Sequence, residues 1–189
     1  MRRLTLVLGG ARSGKSRYAE GLARRHRGRP TYVATAETTD QEMAERISRH
    51  RAERGARWRT IEAPLDLVGA LRQAEGARTF TLVECLTVWI NNLIYHGKDV
   101  TGEIERLCES LAGAKGHVVV VSNEVGLGIV PDNALARRFR DEAGRANQAI
   151  AAAADEVVFI AAGLPMILKK PRRGVPRARS EGKAHGRRG

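Results

Sequence analysis

The sequence predicts an α/β fold in which a mostly parallel β-sheet is covered by helices on both faces. Short apolar runs alternate with stretches of helical spacing along the chain, which is typical of parallel sheets built from strand–helix units. The apolar runs are nearly continuous, as expected for strands that are buried on both faces. At 189 residues and 42% hydrophobic content, the chain can bury one core and is not a disordered protein.

Each predicted strand is a run of β-branched and other apolar residues, and each predicted helix shows apolar residues at helical spacing. The strands cover residues 4–8, 31–34, 79–83, 117–121 and 157–160. The helices cover residues 16–25, 39–54, 65–74, 88–95, 102–114 and 133–154. Thr39 and Glu42 fit a capping box at the start of the second helix.

The positive charge of the chain is concentrated at its C-terminus. Residues 169–189 carry a net charge of +8, which leaves +4 of the total of +12 for residues 1–168. The end of the chain combines Gly, Pro and charge with few apolar residues, so we expect a disordered tail. The predicted division is a catalytic domain over residues 1–168 and a basic tail over residues 169–189. A solvated extension and a surface that contacts phosphate or acidic partners are both compatible with the tail.

Cysteine content and hydropathy favour a cytoplasmic protein. Cys85 and Cys108 show neither metal-site spacing nor a disulfide framework. No apolar run approaches the roughly 20 residues of a membrane span. The N-terminal apolar segment is also too short for a secretory signal.

The strongest motif is a glycine-rich loop between the first predicted strand and the first predicted helix. It consists of Gly9, Gly10, Ala11, Arg12, Ser13, Gly14, Lys15 and Ser16. The motif matches G-x-x-x-x-G-K-[ST], whose backbone N–H groups surround phosphate oxygens at a helix N-terminus. Lys15 is expected to reach the β- and γ-phosphates, and the Ser16 hydroxyl to ligate Mg²⁺. The loop therefore predicts a nucleotide site on a P-loop NTPase fold, which we expect to be of the RecA-like type.

A P-loop site also needs an acidic residue for Mg²⁺ at the carboxyl end of a neighbouring strand. Glu84 directly follows the third predicted strand and is the first candidate. Glu124 follows the fourth predicted strand through two polar residues and is the second candidate. Either carboxylate could instead be an ordinary solvated loop residue.

His50 lies in an unusually basic segment of the second predicted helix. The neighbouring arginines are Arg46, Arg49, Arg51, Arg54 and Arg57. Such a cluster disfavours imidazolium, so the ring stays neutral and nucleophilic near pH 7. It also suits an anionic phosphoryl centre. The alternative is a half-buried helix histidine beside a solvated basic face.

Together these motifs resemble the bifunctional adenosylcobinamide kinase/adenosylcobinamide-phosphate guanylyltransferase family. The resembling segments are residues 9–17, 46–54, 58–62, 84–87, 91–93, 122–126, 128–141, 143–145 and 147–157. The resemblance extends over about residues 3–168. A P-loop alone is shared by many families, whereas this ordered set of motifs is specific.

The resemblance implies two reactions of cobalamin biosynthesis. The first phosphorylates the aminopropanol hydroxyl of adenosylcobinamide with ATP or GTP. The second transfers GMP from GTP to adenosylcobinamide phosphate through a guanylyl-histidine intermediate, which the motif assigns to His50. A neutral imidazole is a suitable nucleophile for phosphorus and forms a labile phosphoramidate.

The resemblance also implies further residues of the nucleotide site. They are Ala34, Thr35, Ala36, Arg51, Arg54, Glu62 and Glu84. A carboxylate suits guanine because it accepts from N1–H and the N2 amino group, and either Glu62 or Glu84 could serve. The family association further implies a homotrimer.

Two other functions fit parts of the sequence. A small-molecule kinase without guanylyltransferase activity would leave His50 with a structural role. A nucleotide-dependent protein that binds nucleic acid through its basic tail is disfavoured, because no nucleic-acid-binding module is recognisable and aromatic residues make up only 4% of the chain. We therefore expect no nucleic-acid partner.

Overall fold

The computed structural model describes residues 2–37, 57–76 and 78–170. Its strands are β1 (Arg3–Gly9), β2 (Thr31–Ala34), β3 (Arg59–Glu62), β4 (Phe80–Glu84), β5 (His117–Asn123), β6 (Glu156–Ala161) and β7 (Leu164–Lys169). Its helices are α1 (Lys15–Ala23), α2 (Leu67–Ala74), α3 (Leu86–Tyr95), α4 (Val100–Gly113) and α5 (Ala134–Ala153).

The seven strands form one sheet in the order β3-β2-β4-β5-β1-β6-β7. The first six strands in this order are parallel, and only β7 runs antiparallel, beside β6. One strand, β5, separates β1 from β4, which is the arrangement of RecA-like P-loop proteins. The predicted fold class is therefore confirmed.

Helices cover both faces of the sheet, as predicted. Along β1 the side chains alternate, so that Leu4, Leu6 and Leu8 pack on one face and Val7 on the other. The first face is covered by α2, α3, α4 and α5, and the second by α1. Trp89 of α3 is fully buried in the larger core and donates its indole N–H to the Leu65 carbonyl, so it has a packing role.

Two strands of the sheet were not expected from the sequence. β3 has the sequence RTIE and lies at one edge, where a single apolar residue gives no clear periodicity. β7 lies at the other edge and contains Pro165, which an edge strand tolerates. A tight turn at Ala162 and Gly163, both with positive φ (50° and 80°), joins β7 to β6.

The amino edge of the sheet holds a closed cluster of polar side chains. The Thr5 hydroxyl donates to the Glu156 carboxylate at 3.3 Å and lies 3.0 Å from Nε2 of His117. Arg3 pairs with the same carboxylate at 2.8 Å. The His117 ring packs edge-on against Phe80, with 5.0 Å between the centroids. Burial, with Arg3 nearby, lowers the pKa of His117 to about 4, although Glu156 opposes the shift.

Several predictions fall on residues that the structure does not describe. These include the helix over residues 39–54 with its capping box, and His50, Arg51 and Arg54 within it. The tail beyond residue 170 also lies outside, so the division into residues 1–168 and 169–189 stays a prediction. Within the described ranges, no helix combines the length and apolar character needed to cross a membrane.

Candidate nucleotide site

Register places the predicted site residues at the carboxyl edge of the sheet. Ala34, at the end of β2, pairs with Glu62 of β3 on one side and with Glu84 of β4 on the other. Gly9, at the end of β1, pairs with Asn123 of β5. Because these strands are parallel, their C-terminal residues converge on one edge, where ligands of α/β proteins bind.

The P-loop follows β1 and packs against the end of β6 and the β6–β7 turn. A Cβ atom on Gly9 would lie 2.4 Å from the Ile160 carbonyl oxygen, so only glycine fits there. Gly14 precedes α1 with a φ of 99°, a conformation that favours glycine. The Ser13 carbonyl accepts from Gly163 N–H at 2.8 Å, which ties the loop to the β6–β7 turn. The buried Ser13 hydroxyl has no hydrogen-bond partner among the described residues.

Lys15 is buried at the start of α1, with 7% of its surface exposed. Its amine donates to the Gly10 carbonyl of the same loop at 2.6 Å. Burial lowers the pKa of Lys15, and the nearby Glu84 carboxylate opposes that shift. A bound triphosphate would supply the negative charge that favours the ammonium form at this position.

Glu84 is an acidic residue that makes a hydrogen bond with the P-loop. The Ser16 hydroxyl donates to Oε1 of Glu84 at 2.8 Å, although 68 residues separate the two in the chain. Oε1 of Glu124, in contrast, accepts from the backbone N–H of Gly126 at 2.6 Å within its own loop. Of the two candidates for the metal site, the structure brings Glu84 beside Ser16.

The residues after β2 are joined to the end of β4 by hydrogen bonds. Thr35 is fully buried, and its hydroxyl donates to the Cys85 carbonyl at 2.9 Å and accepts from Cys85 N–H at 2.8 Å. Its backbone N–H donates to the Glu84 carbonyl at 3.1 Å. Asn92 of α3 donates to the Thr35 carbonyl at 2.7 Å and to the Pro64 carbonyl at 3.0 Å. Thr35 therefore fixes the backbone that directly follows the Glu84 side chain.

A second polar connection joins β5 to the start of α3. The Asn123 amide donates to the Thr87 hydroxyl at 2.8 Å, and that hydroxyl lies 3.2 Å from the Cys85 sulfur. Asn147 of α5 donates to the Asn123 carbonyl at 3.2 Å. Asn123 and Asn147 belong to segments of the family resemblance, but their pairing depends on strand order, which the sequence alone does not reveal.

The other predicted site residues lie around the same edge. Ala34 and Ala36 are half-buried, whereas Glu62, Ala11 and Arg12 are exposed. Gly10 is half-buried between the end of β1 and the rest of the loop. Arg137 and Arg145 hold local structure: Arg137 donates to the carbonyls of Pro131 and Asp132, and Arg145 pairs with Glu142.

Ser16 and Glu84 together fit a magnesium ion. Mg²⁺ prefers oxygen ligands and usually takes only one or two from the protein, with phosphate and water completing its shell. A hydroxyl and a carboxylate oxygen lie 2.8 Å apart at this site. The donor set is therefore suitable for a metal that arrives with a nucleotide.

Comparison with known proteins identifies the family. Residues 5–168 match the family model described as "Cobinamide kinase / cobinamide phosphate guanyltransferase". The bifunctional adenosylcobalamin biosynthesis protein CobP of Pseudomonas aeruginosa is 50% identical over 166 residues, covering 87% of this chain and 96% of that protein. The corresponding CobU protein of Escherichia coli is 40% identical over 181 residues, covering 88% of this chain and 99% of that protein.

Solved structures support the fold alone. A Pyrococcus horikoshii protein, PH0250, aligns with a TM-score of 0.51 at 12% sequence identity, over 89% of this chain and 86% of that one.

Three observations indicate the same family of nucleotide-using enzymes. They are the P-loop, the contact between Ser16 and Glu84, and the family match over residues 5–168. The chain belongs to the family of cobinamide kinases and cobinamide phosphate guanylyltransferases, enzymes of cobalamin biosynthesis that use nucleoside triphosphates.

Proposed function

We propose that this protein carries out both reactions at the carboxyl edge of its sheet and passes GMP through a covalent intermediate on His50. The first reaction phosphorylates adenosylcobinamide with ATP or GTP, and the second converts the phosphate to adenosylcobinamide-GDP with release of pyrophosphate. The observation that carries the proposal is the Ser16–Glu84 contact beneath the P-loop, since it joins a phosphate cradle to an acidic residue.

The kinase step uses the P-loop to hold the triphosphate. Backbone N–H groups of the loop and the Lys15 ammonium balance the charge on the β- and γ-phosphates. The aminopropanol oxygen attacks the γ-phosphorus, and the bond to the bridging oxygen breaks. The nucleoside diphosphate leaves, and the hydroxyl proton is released.

The guanylyl step needs a nucleophile that the P-loop does not contain. A ring nitrogen of His50 attacks the α-phosphorus of GTP, the bond to the β-phosphate breaks, and pyrophosphate leaves. An oxygen of adenosylcobinamide phosphate then attacks the same phosphorus and displaces the imidazole. Arg51 and Arg54 share the basic segment of His50 and are suited to bind the phosphates of GTP.

The two strand-end carboxylates are suited to different roles. Glu84 contacts Ser16, so these two residues would hold Mg²⁺, which neutralises phosphate charge when it is bound. Glu62 is exposed at the end of the edge strand β3, two strands away from β4 in the order β3-β2-β4. Its carboxylate can accept from guanine without competing for the metal. We therefore assign guanine recognition to Glu62 and metal binding to Glu84.

Covalent labelling tests the proposal directly. The protein is incubated with Mg²⁺ and GTP labelled at the α-phosphate, quenched in alkali and separated on a denaturing gel. We expect label on the wild type that acid removes, because phosphoramidates are stable in alkali and labile in acid. His50→Ala should carry no label, while Lys115→Ala, which lacks an exposed lysine remote from the P-loop, should label normally.

The absence of label from wild-type protein that binds GTP would contradict the covalent mechanism. In that case a transfer of the γ-phosphate of ATP to adenosylcobinamide would still identify a kinase without guanylyltransferase activity. Label that persists in His50→Ala would place the nucleophile on another residue.

We also propose a homotrimer in the cytoplasm. The oligomer is supported by edge strand β7, whose apolar side chains are 52–69% exposed. They are Leu164, Met166, Ile167 and Leu168. Exposed contiguous apolar residues often mark an interface. Light scattering of wild type and of Ile167→Asp tests the oligomeric state, since a charge at the interface should shift the mass from trimer to monomer.

The two free cysteines, Cys85 and Cys108, support the proposed location in a reducing compartment.

A further inference from the structure

A pocket of about 280 Å³ lies beside the nucleotide site, between α3 and α5. Thr87 and Asn123 line it, and these residues also form the hydrogen-bonded connection between β5 and the start of α3. Asn123 pairs in register with Gly9, the first residue of the P-loop. The pocket therefore opens at the same edge of the sheet as the phosphate cradle, one strand away from it.

The size of the pocket indicates what it can hold. Sites for drug-sized ligands typically occupy roughly 300–1,000 Å³. At about 280 Å³, this pocket has room for a flexible side arm of a ligand.

The lining of the pocket is suited to a neutral, amide-bearing arm. Val88, Val125 and Phe139 supply apolar walls, and Asn91 and Asn123 supply carboxamides. Asn91 is exposed on α3, so its amide is available to a ligand without disturbing the core. The aminopropanol arm of cobinamide consists of methylenes, an amide and an alcohol, and the macrocycle carries further carboxamides. A carboxamide both donates and accepts, so Asn91 can pair with an amide of this kind.

Charge argues against a second nucleotide in the pocket. Glu37 lies on its wall and pairs with His96 at 3.0 Å. Among the described residues that line the pocket, none is a lysine, an arginine or a histidine. A carboxylate on the wall disfavours phosphate groups, whereas it can accept a hydrogen bond from an amide N–H or an alcohol.

We infer that this pocket binds the aminopropanol arm of the acceptor and that Asn91 recognises its amide. Val88 and Phe139 contact the methylenes, and the hydroxyl end of the arm lies toward Asn123 and the P-loop. Asn123 is a positioning residue, because its own amide nitrogen is held by Thr87. The inference rests on the proposed function, since it takes the acceptor to be a cobinamide.

Direct binding of the coloured corrinoid tests the inference without any catalytic step. Adenosylcobinamide is mixed with the protein, and the fraction retained by a membrane that holds back protein is read from its visible absorbance. Asn91→Ala should weaken retention about tenfold, the loss expected for one hydrogen bond to a ligand. Val88→Phe fills the pocket and should weaken it at least as much. Gln73→Ala, which removes an exposed carboxamide on α2, should bind as the wild type does.

Two further measurements separate this inference from the proposed function. Labelling with α-phosphate-labelled GTP needs no acceptor, so Asn91→Ala and Val88→Phe should label as the wild type does. The KM for adenosylcobinamide in the kinase reaction should rise in both variants, while the KM for the triphosphate stays constant. Wild-type corrinoid affinity in both variants would overturn the pocket assignment, as would a wild type that does not bind the corrinoid. Loss of labelling in the wild type, with corrinoid binding still sensitive to both substitutions, would reject only the covalent mechanism.

Discussion

The two edges of the sheet differ in how completely their buried polar groups are hydrogen-bonded. At the amino edge, Thr5, His117, Glu156 and Arg3 satisfy one another in a closed cluster. At the carboxyl edge, the buried hydroxyls of Ser13 and Ser122 have no hydrogen-bond partner among the described residues. A buried polar atom without a partner costs free energy, and at Ser13, which lies in the P-loop, a bound phosphate can supply the partner.

The comparison separates residues that stabilise the fold from residues that serve the reaction. Substitutions at the amino edge should lower the free energy of unfolding and leave the chemistry intact. Substitutions at the carboxyl edge should reduce activity and leave the free energy of unfolding nearly constant.

Lys15→Ala should reduce kcat/KM of both reactions by about 100- to 1,000-fold, as expected when a charged group that stabilises transferred phosphate is removed. The free energy of unfolding should stay constant or rise, because burial disfavours the charged amine in the free protein. Steady-state kinetics and urea unfolding measure the two effects. Lys115→Ala, an exposed lysine near the amino edge, is the matched control and should change neither. A large loss of stability in Lys15→Ala would contradict the distinction.

Thr5→Val keeps the shape of a fully buried side chain and removes the hydroxyl that contacts both His117 and Glu156. We expect a loss of about 1–3 kcal/mol in the free energy of unfolding, because the buried Glu156 carboxylate and the half-buried His117 ring lose a partner. The rate of His50 labelling at 25 °C should be unchanged. Urea unfolding beside the exposed control Thr101→Val measures the difference. Equal stability of the two variants would show that the cluster contributes nothing.

The stability of the protein should fall as the pH drops from about 6.5 to about 4 because of His117. In the folded state the pKa of His117 is about 4, below its ordinary value of 6.5. Between these two values the unfolded chain binds a proton that the folded chain does not bind, so acid favours unfolding. Allowing for partial exposure to solvent, we expect about 1–2 kcal/mol from this group. In urea unfolding across this pH range, His117→Gln should show a shallower pH dependence, and identical profiles would exclude this role.

Ser13→Ala is the mildest test of the carboxyl edge. Removing an unpartnered buried hydroxyl should leave the free energy of unfolding unchanged or raise it by up to about 1 kcal/mol. The affinity for triphosphate should fall by roughly threefold to tenfold if this hydroxyl donates to phosphate. Equilibrium binding of GTP, beside Ser110→Ala on α4, provides the measurement. Unchanged affinity together with lower stability would assign the hydroxyl a structural role.

Sequence patterns predicted the parts of the fold that local periodicity determines. The five predicted strands and five of the six predicted helices lie within a few residues of the observed elements, and the sixth helix lies outside the described ranges. The edge strands β3 and β7 were missed for different reasons. RTIE contains too few apolar residues, and in the apolar segment of β7 Pro165 weakened the strand signal. Each of these edge strands obtains all of its pairing from a single neighbour, and a local pattern does not reveal which strand that is.

The sequence predicted which residues belong to the nucleotide site, but it did not predict which of them contact one another. The P-loop motif and the strand-end position of Glu84 were sufficient to name Ser16 and Glu84 as candidates for binding Mg²⁺, and that role stays a prediction. The choice between Glu84 and Glu124 required the strand order, which brings β4 within reach of Ser16 across β5. The hydrogen bonds of Thr35 with Cys85, and of Asn123 with Thr87, join segments that are distant in the chain. No local signal predicts such pairs.

The close packing behind the P-loop has a consequence for how nucleotides bind. Gly9 packs against the Ile160 carbonyl and Gly14 against Gly163, which leaves the loop little room to move toward the sheet. Gly163 also donates a hydrogen bond to the Ser13 carbonyl. A loop already fixed in shape loses little conformational entropy when a phosphate enters it. The favourable contacts with phosphate therefore count almost fully toward affinity. The β6–β7 turn, which never has to touch the nucleotide, thus contributes to how tightly the enzyme holds it.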